Sequence, residues 1–453
     1  MRISVIGTGY VGLVSGACLA DVGHDVTCVD MDPSKVGKIN AAQPTIHERG
    51  LPEILGRTVG RNLRATTDLA SAVRDTDLTF IAVGTPAADG RIDLGQVRAV
   101  SVELGTALRN KRGYHVIVVK STVVPGTTDG LVRETLEQAS GLQAGADFGL
   151  GMNPEFLTEG QAVQDFTVPD RIVIGGVDRR TRQTLGDVYA SFGAAPRIET
   201  NNVTAEFIKY ASNAVLATMI SFSNEIARLC TAVGNVDVVD VMKGVHESAY
   251  FTTRDAAPQP VRARITGFLE AGCGFGGSCL PKDVTALVGQ GHALGVEMPL
   301  LSAVLRVNAG QPGELVRLVE RHFPSLHGKR VAILGIAFKP DTDDVRESPA
   351  FPVIRQLAAR GAVLTAYDPV ARLPAEREYA AVRAAASLDE AIADADAVVL
   401  VTRWAEFDSL AARLRAAGRD PLVVDGRRVL NPSDHGRYEG IGRLAMTVEG
   451  GRS

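Results

Sequence analysis

A chain of 453 residues that is 45% hydrophobic and 22% charged is too long for one core, so two or three folded domains are expected. A formal charge of −4 over that length gives no dominant field, which argues against nucleic acid or an anionic membrane as the principal partner and leaves any phosphate to be bound locally. Five cysteines (Cys18, Cys28, Cys230, Cys273, Cys279) include no CxxC pair, and the odd number argues against a disulfide framework or a structural zinc site, so no metal is expected.

The opening MRISVIGTGY enters a strand directly, with no cleavable apolar stretch, and no run approaches the roughly 20 apolar residues of a membrane span; a cytoplasmic protein is expected. Over the first two hundred or so residues, short apolar runs (Ile3 to Ile6, Val26 to Val29, Leu78 to Val83, Val116 to Val119, Ile172 to Ile174) alternate with helix-compatible stretches, the rhythm of a parallel sheet built from βαβ units. Strand RISVIG is followed at once by Gly7, Gly9 and Gly12 in the order GxGxxG and by a helix-compatible run. Gly7 permits the tight turn, Gly9 lets the backbone approach a pyrophosphate, and Gly12 lets helix and strand pack closely. The next strand, DVTCVD, ends at Asp30, whose carboxylate can bond both ribose hydroxyls and repels a 2′-phosphate, so NAD is expected rather than NADP. Lys35, in the following turn, either reaches the adenosine half or is simply solvated. The strand ends VGTP and KSTVVPGT put Thr85 and Thr122 at the cofactor crevice, although isolated threonines are more often helix caps.

In GMNPEFLTEG, Glu155 and Glu159 stand four apart after a proline that can start a helix: a pair for acid–base work, or a helix N-terminal turn with favourable acidic charge. From about Thr204 one stretch, TAEFIKYASNAVLATMISFSNEIARLCTAVG, runs without Pro or Gly until Gly234 and predicts a single long helix, apolar over enough of its circumference to pack against a second subunit. On it Lys209 and Asn213, four residues apart, share a face. A cation beside an amide suits an oxyanion, while spacing alone favours the plainer reading of a solvated lysine next to a polar patch. In GCGFGGSCLPKDVTAL a glycine-rich loop delivers Cys279 to a helix N-terminus ahead of Pro281, where the helix dipole and Lys282 favour the thiolate and make the sulfur a nucleophile. Cys18, Cys28, Cys230 and Cys273 read as packing. Beyond Lys329 the strand-like runs RVAILGIAF, VLTAYDP, AVVLVT and LVVDG predict a second α/β domain, whose opening echoes RISVIGTGYVG without the second and third glycines: a duplicated architecture with a different ligand.

Together GTGYVG, STVVPGT, NPEFLTEG, PDRIVIGG, KYASN, GFGGSCLPKD and AFKPDTDDVRESPA resemble the UDP-glucose/GDP-mannose dehydrogenase family, in the family's order and over nearly the whole chain. The resemblance implies an α/β protein of two Rossmann-like doubly wound domains joined by a long central helix. An NAD-binding domain would cover 1–200, a central helical dimerisation and catalytic domain 201–315, and a nucleotide-sugar-binding α/β domain 316–453. It implies a four-electron oxidation of a sugar's sixth carbon to the carboxylate, through a thioester on Cys279, with UDP-glucose first and TDP-glucose, GDP-mannose or UDP-N-acetylmannosamine behind it. Glu155 looks like the acid–base residue, Lys209 and Asn213 like the oxyanion holders, and Thr122 and Asp283 like residues that position water or assist proton transfer. The cofactor contacts implied, beside the three glycines, Asp30 and Lys35, are Tyr10, Val11, Thr85, Thr122, Glu159, Lys282 and Arg346. On the substrate side it implies Glu155, Phe156 and Leu157, Lys209 with Asn213, Arg264 and Phe268, the loop Gly274, Phe275 and Gly276, and Phe338 with Lys339. A homodimer through the central helix is implied as well.

The sequence departs from the family at Arg264, Ile265, Thr266, where the family usually reads Arg-Ile-Gly, and in the preceding HESAYFTTRDAAPQPVRAR. That segment is expected to touch sugar or base, so it bears on substrate identity. Two other readings compete. A nucleotide-sugar-binding protein without turnover is disfavoured by intact Cys279, Lys209, Asn213 and Glu155, and a two-electron hydroxyacid dehydrogenase would need neither the cysteine nor the second α/β domain.

Overall fold

Ten strands fall in the first of two units, Met1–Ser212: β1 (Arg2–Ile6), β2 (Asp25–Val29), β3 (Leu63–Thr66), β4 (Leu78–Ile81), the short pair β5 (Ala87–Ala88) and β6 (Arg91–Ile92), β7 (Val116–Val119), β8 (Gly149–Met152), β9 (Ile172–Gly176) and β10 (Arg197–Thr200). The computed structural model describes residues 1–88, 90–193, 195–254 and 259–443. Eight strands make one sheet in the order β10-β9-β8-β7-β4-β1-β2-β3. Strands β1, β4 and β7 are apolar nearly throughout because helices cover both faces of the sheet. The chain runs outward from β1 through β2 to β3 and then crosses to β4 on the other side of β1. That reversal is the point at which open α/β sheets bind ligands, outside the carboxyl ends of the strands.

The expectation of a parallel sheet holds from β3 to β8, but β9 runs antiparallel to β8, and β10 follows β9. Three sheet strands escape the apolar-run criterion for physical reasons. β3 alternates buried and exposed positions, and β10 is a largely exposed edge. β8 reads GLGM, with glycine where a Cβ on Gly149 would come within 2.7 Å of the Thr181 hydroxyl.

The central helix spans Asn202–Val233, begins where the Asn201 side chain accepts from the Thr204 amide, and ends at Gly234 with φ +77°. The second unit, Asn213–Ser453, contains the hairpin β11 (Thr252–Thr253) and β12 (Val261–Arg262) and then β13 (Arg330–Leu334), β14 (Val363–Tyr367), β15 (Arg383–Ala384), β16 (Ala397–Leu400), β17 (Leu422–Asp425) and β18 (Tyr438–Gly440). The last six form an all-parallel sheet, β15-β14-β13-β16-β17-β18. The chain is therefore α/β, with two Rossmann-like sheets and a long central helix.

The echo between the two domains extends to hydrogen bonds. Gly7 (φ +94°) donates its amide to Val29, and Gly335 (φ +92°) donates to Tyr367, each closing the turn after the first strand onto the second. The acid after that second strand differs in its freedom. Asp368 is buried and accepts from the amides of Ile336, Ala337, Val370 and Ala371 and from the Trp404 indole. Its oxygens are spent on the protein, whereas the acid in the matching place of the first domain, Asp30, is less completely enclosed.

Candidate active site

The turn between β1 and the Tyr10–Asp21 helix divides its glycines by job. A Cβ on Gly12 would lie 1.8 Å from the Gly7 carbonyl oxygen, and one on Gly7 would meet the Ala82 carbonyl oxygen at 2.8 Å. Gly9 has an ordinary φ of −69°, and a Cβ there would meet nothing within 4 Å. No protein neighbour requires that glycine, and the open space is what a pyrophosphate at the helix N-terminus needs. Asp30 takes the Thr8 amide (2.9 Å) and hydroxyl (2.5 Å) on one oxygen and the Asp32 amide (3.0 Å) on the other, and Lys35 lies 3.8 Å from it. Burial pushes the Asp30 carboxyl up, but these donors and Lys35 outweigh it and hold it below the ordinary value, so it is an acceptor at neutral pH. The residues fit NAD. Lys35 thus pairs with Asp30, and the Tyr10 hydroxyl is engaged by Glu48 and by the Gly160 amide (2.7 Å). Val11 is half-buried in the first helical turn. Thr85 donates its hydroxyl to the Thr122 carbonyl at 2.8 Å, which brings the two strand-end turns together.

The glycines give the first testable contrast. Gly12→Ala is expected to cost about 1–3 kcal/mol or more of stability through overpacking, read as a fall in Tm. Gly9→Ala should leave Tm unchanged and weaken NAD binding; a Gly9→Ala protein with undiminished NAD affinity contradicts the assignment.

Glu155 and Glu159 do not share a helical face. Residues 153–158 have no regular structure and the next helix begins at Ala162. Asn153 and Pro154 leave β8 in a loop, and Glu155 turns back on that loop, accepting the Leu157 amide at 2.6 Å. Its other oxygen lies 3.0 Å from Lys209 Nζ, with both side chains almost wholly buried (6% and 5% exposed). Lys209 is thus no solvated lysine. Phe156 is covered by the Arg171 guanidinium, 3.8 Å from its ring centroid, with Lys209 Nζ at 5.5 Å. Burial raises the Glu155 carboxyl, while Lys209, the Leu157 amide and Lys120 together bring it below the ordinary carboxylate range. Glu159 is half-buried in the same loop.

In the second unit Cys279 is the N-cap of the Leu280–Ala293 helix, with Pro281 in the first turn. It is exposed, whereas Cys18, Cys28, Cys230 and Cys273 are buried, and burial drives the Cys18 and Cys28 thiols up to about 12. Ser278 Oγ lies 3.7 Å from the Cys279 sulfur. One turn on, Asp283 is 1% exposed and takes Asn213 Nδ2 at 2.6 Å and Lys282 Nζ at 2.5 Å. The glycine loop ahead of the cysteine is moulded on its surroundings. Gly277 (φ +80°) presses on the Phe338 ring, where a Cβ would come within 2.6 Å, and donates to the Arg346 carbonyl at 2.9 Å. Gly276 faces the Glu347 carbonyl and Gly274 faces Asn308 with no room for a Cβ. Phe275 is buried, and Lys339 Nζ lies 5.8 Å from the Phe338 ring. Arg346 pairs with Asp344. Arg264, exposed, opens the short helical turn Arg264–Phe268, where Phe268 is half-buried; residues 255–258 of the divergent stretch lie outside the described residues.

Residues 1–193 match the UDP-glucose/GDP-mannose dehydrogenase family NAD binding domain, 203–310 its central domain and 332–432 its UDP binding domain. The chain belongs to this family. It is 42% identical, over 97% of its length and all of the relative, to UDP-glucose 6-dehydrogenase AglM of Haloferax volcanii. Against a GDP-mannose 6-dehydrogenase of Pseudomonas savastanoi pv. phaseolicola the figures are 37%, 97% and 100%. A UDP-glucose dehydrogenase structure from Pyrobaculum islandicum superposes with a TM-score of 0.87 at 39% identity, covering 98% of each chain. This family member is an NAD-dependent oxidoreductase with an NAD-binding and a UDP-binding domain.

Several residues around the site were invisible to motif reading. Asn308 brackets Phe275, accepting its amide (2.8 Å) and donating to its carbonyl (3.0 Å). Asn224 accepts the Gly272 amide and Gln311 donates to the Gly272 carbonyl. Arg427, just after β17, donates to the carbonyls of Val401 (2.6 Å) and Gly274 (3.1 Å). The only sequence signal available was that an arginine followed a strand end. Glu206, one turn before Lys209, holds the loop after β7 through the Gly126 and Thr128 amides and the Thr128 hydroxyl. Among the described residues no helix is long and apolar enough to cross a membrane.

Proposed function

We propose that this dehydrogenase oxidises UDP-glucose to UDP-glucuronate in two successive two-electron steps, with Cys279 carrying the intermediate as a thioester. The observation that carries the reading is the one exposed cysteine, capping a helix whose first turn holds buried Asp283, Lys282 and their Asn213 partner. NAD, when bound, supplies the two-electron acceptor for each oxidation, two per sugar. The sugar's CH2OH with two NAD and one water gives COO−, two NADH and three protons.

The residues divide the remaining work. Cys279 adds to the aldehyde carbon, the C–S bond forming as the carbonyl oxygen becomes an alkoxide, and after the second oxidation the sulfur leaves when water attacks the thioester. The helix N-terminus favours the thiolate both as attacking and as leaving group. Glu155, ionised at neutral pH, takes the proton of that water. Lys209, a cation beside Glu155, and Asn213, which retains an amide hydrogen beyond the one given to Asp283, are assigned to stabilising the oxyanion. Thr122 and Asp283 are assigned to positioning water and protons. Residues 1–200 serve NAD, 201–315 catalysis and dimerisation, and 316–453 the nucleotide sugar, with Arg264, Phe268, Gly274, Phe338 and Lys339 as sugar-nucleotide contacts and Glu159, Lys282 and Arg346 as further cofactor contacts.

GDP-mannose is the second reading, because a relative of that name is nearly as similar over the full length. Assaying UDP-glucose, TDP-glucose, GDP-mannose and UDP-N-acetylmannosamine separately, with kcat/KM for each, tests the choice. UDP-glucose is expected to lead, and a higher value for GDP-mannose overturns it. A homodimer belongs to the same proposal: Phe207, Val215, Phe222, Leu229 and Val233 of the central helix all lie exposed in the single chain. Light scattering is expected to give twice the 47.9 kDa chain mass; a monomeric mass at working concentration contradicts it.

A further inference from the structure

Lys120, the first residue after β7, is a lysine where packing asks for none. It is 3% exposed, with the rings of Phe80 and Phe166 centred 5.6 and 5.7 Å from its Nζ. Its nitrogen donates to Asn153 Oδ1 at 2.8 Å and, more weakly, to the Tyr189 hydroxyl at 3.5 Å. Tyr189 donates to the same Asn153 oxygen at 2.6 Å, and Asn153 Nδ2 is fixed on the Val173 carbonyl at 2.8 Å. Among the described residues no carboxylate stands within ion-pair distance of Lys120. A buried ammonium with only neutral acceptors is costly, and a methionine of similar length would fill the same aromatic slot without that cost.

The charge it acts on is two residues from Asn153. Glu155 has Lys209 as its direct partner from the central helix, and Lys120 from the end of β7 as a second cation within electrostatic reach. Among the described residues, the Tyr189 phenol and the Arg171 guanidinium on Phe156 also pack against this cluster. Lys209 thus pairs directly with the buried carboxylate, and Lys120, held two residues away on Asn153, acts on it from beyond ion-pair distance. Protonating Glu155 would leave two positive charges uncompensated, so the arrangement resists it. We infer that Lys120 is a positioning residue for the acid–base step, a second cation that keeps Glu155 ionised and ready to take a proton from water. Burial lowers the Lys120 ammonium to about 8, opposed by Glu155 and assisted by Lys209, so at neutral pH the second positive charge is largely present.

The inference rests on Glu155 being the base for thioester hydrolysis, and its test separates the two. The full-length enzyme with NAD and UDP-glucose is quenched at intervals from pH 3 to 9, a range that takes in the lowered Glu155 carboxyl, and decay of the Cys279 acyl-enzyme is followed by intact mass. In the parent, decay should fall along an acid limb set by Glu155, and Glu155→Gln should abolish that limb. Lys120→Met should move the limb to higher pH by about one unit, because a carboxylate that loses a cation protonates more readily. The plateau rate and the KM for UDP-glucose should change little, and Lys120→Arg, which keeps the charge, should return the limb toward its original position. Asn153→Asp keeps the lysine but gives it a carboxylate of its own, and should move the limb the same way. A Lys120→Met limb that coincides with the parent's overturns the inference; should that variant fail to fold, an unmoved limb in Asn153→Asp does so. A parent that accumulates no acyl-enzyme, or a Glu155→Gln variant that keeps the limb, removes the reading of Glu155 and this inference with it.

Discussion

Serine in place of Cys279 is expected to stop carboxylate formation while NAD and sugar-nucleotide binding persist. The hydroxyl presents the same shape at the helix N-terminus, but it is far less acidic than a thiol, so the dipole that suffices to stabilise a thiolate does not yield an alkoxide at neutral pH. Losing the nucleophile from a site of this kind costs on the order of 10^4-fold or more in kcat. Because Cys279 is exposed, Tm should stay within a degree or two of the parent's, about 0.5 kcal/mol for a surface change. Product analysis by mass spectrometry decides: UDP-glucuronate formed at the parent's rate would end the thioester account.

Lys209→Met is expected to have the largest effect on stability. It leaves Glu155 buried without its direct partner, and breaking a buried pair from one side costs about 3–5 kcal/mol. The sign of its pH dependence follows from the charges. In the parent the Glu155 carboxyl lies below its unfolded value, so the pair stabilises above the ordinary carboxylate range and that contribution is lost as pH falls through the lowered value. Without Lys209, burial dominates and pushes the carboxyl up, so the variant should lose stability as pH rises out of the acid range. Its Tm deficit against the parent should therefore be greater at pH 8 than at pH 5. The double variant Glu155→Gln with Lys209→Met should be more stable than Lys209→Met alone, because no buried carboxylate is then stranded. Activity should fall by about 10^2–10^3-fold with the loss of an oxyanion donor. Equal deficits at the two pH values would show that the pair carries no such charge linkage.

The features legible in the sequence were those whose parts lie close together along the chain. The glycine turn and Asp30 sit within one βαβ step, and Cys279 stands two residues ahead of a proline that marks a helix start. Both depend on local backbone geometry, which residue type constrains directly. The central helix was legible over nearly its full length because nothing in it breaks a helix.

What escaped depends on contacts across the fold. Four-residue spacing suggested that Glu155 and Glu159 work as a pair, yet Glu155 instead closes on Lys209, from a helix that begins more than forty residues later. The spacing argument presumed a helix, and the loop amide of Leu157 offers the carboxylate a better local partner than a helical turn would. Likewise Asn224, Asn308, Gln311 and Arg427 fix the glycine loop through its backbone, and backbone donors and acceptors leave no trace in the identity of the residues that own them. The antiparallel β9 was hidden for a related reason, since a buried strand reads the same in either direction.

The central claim is that one nucleotide sugar gives up four electrons through a covalent intermediate. NADH released per sugar, measured at limiting UDP-glucose with excess NAD and with the product identified by mass spectrometry, tests it most directly. Two NADH for each sugar together with UDP-glucuronate is the predicted result, and one NADH with the aldehyde as the end product would contradict it.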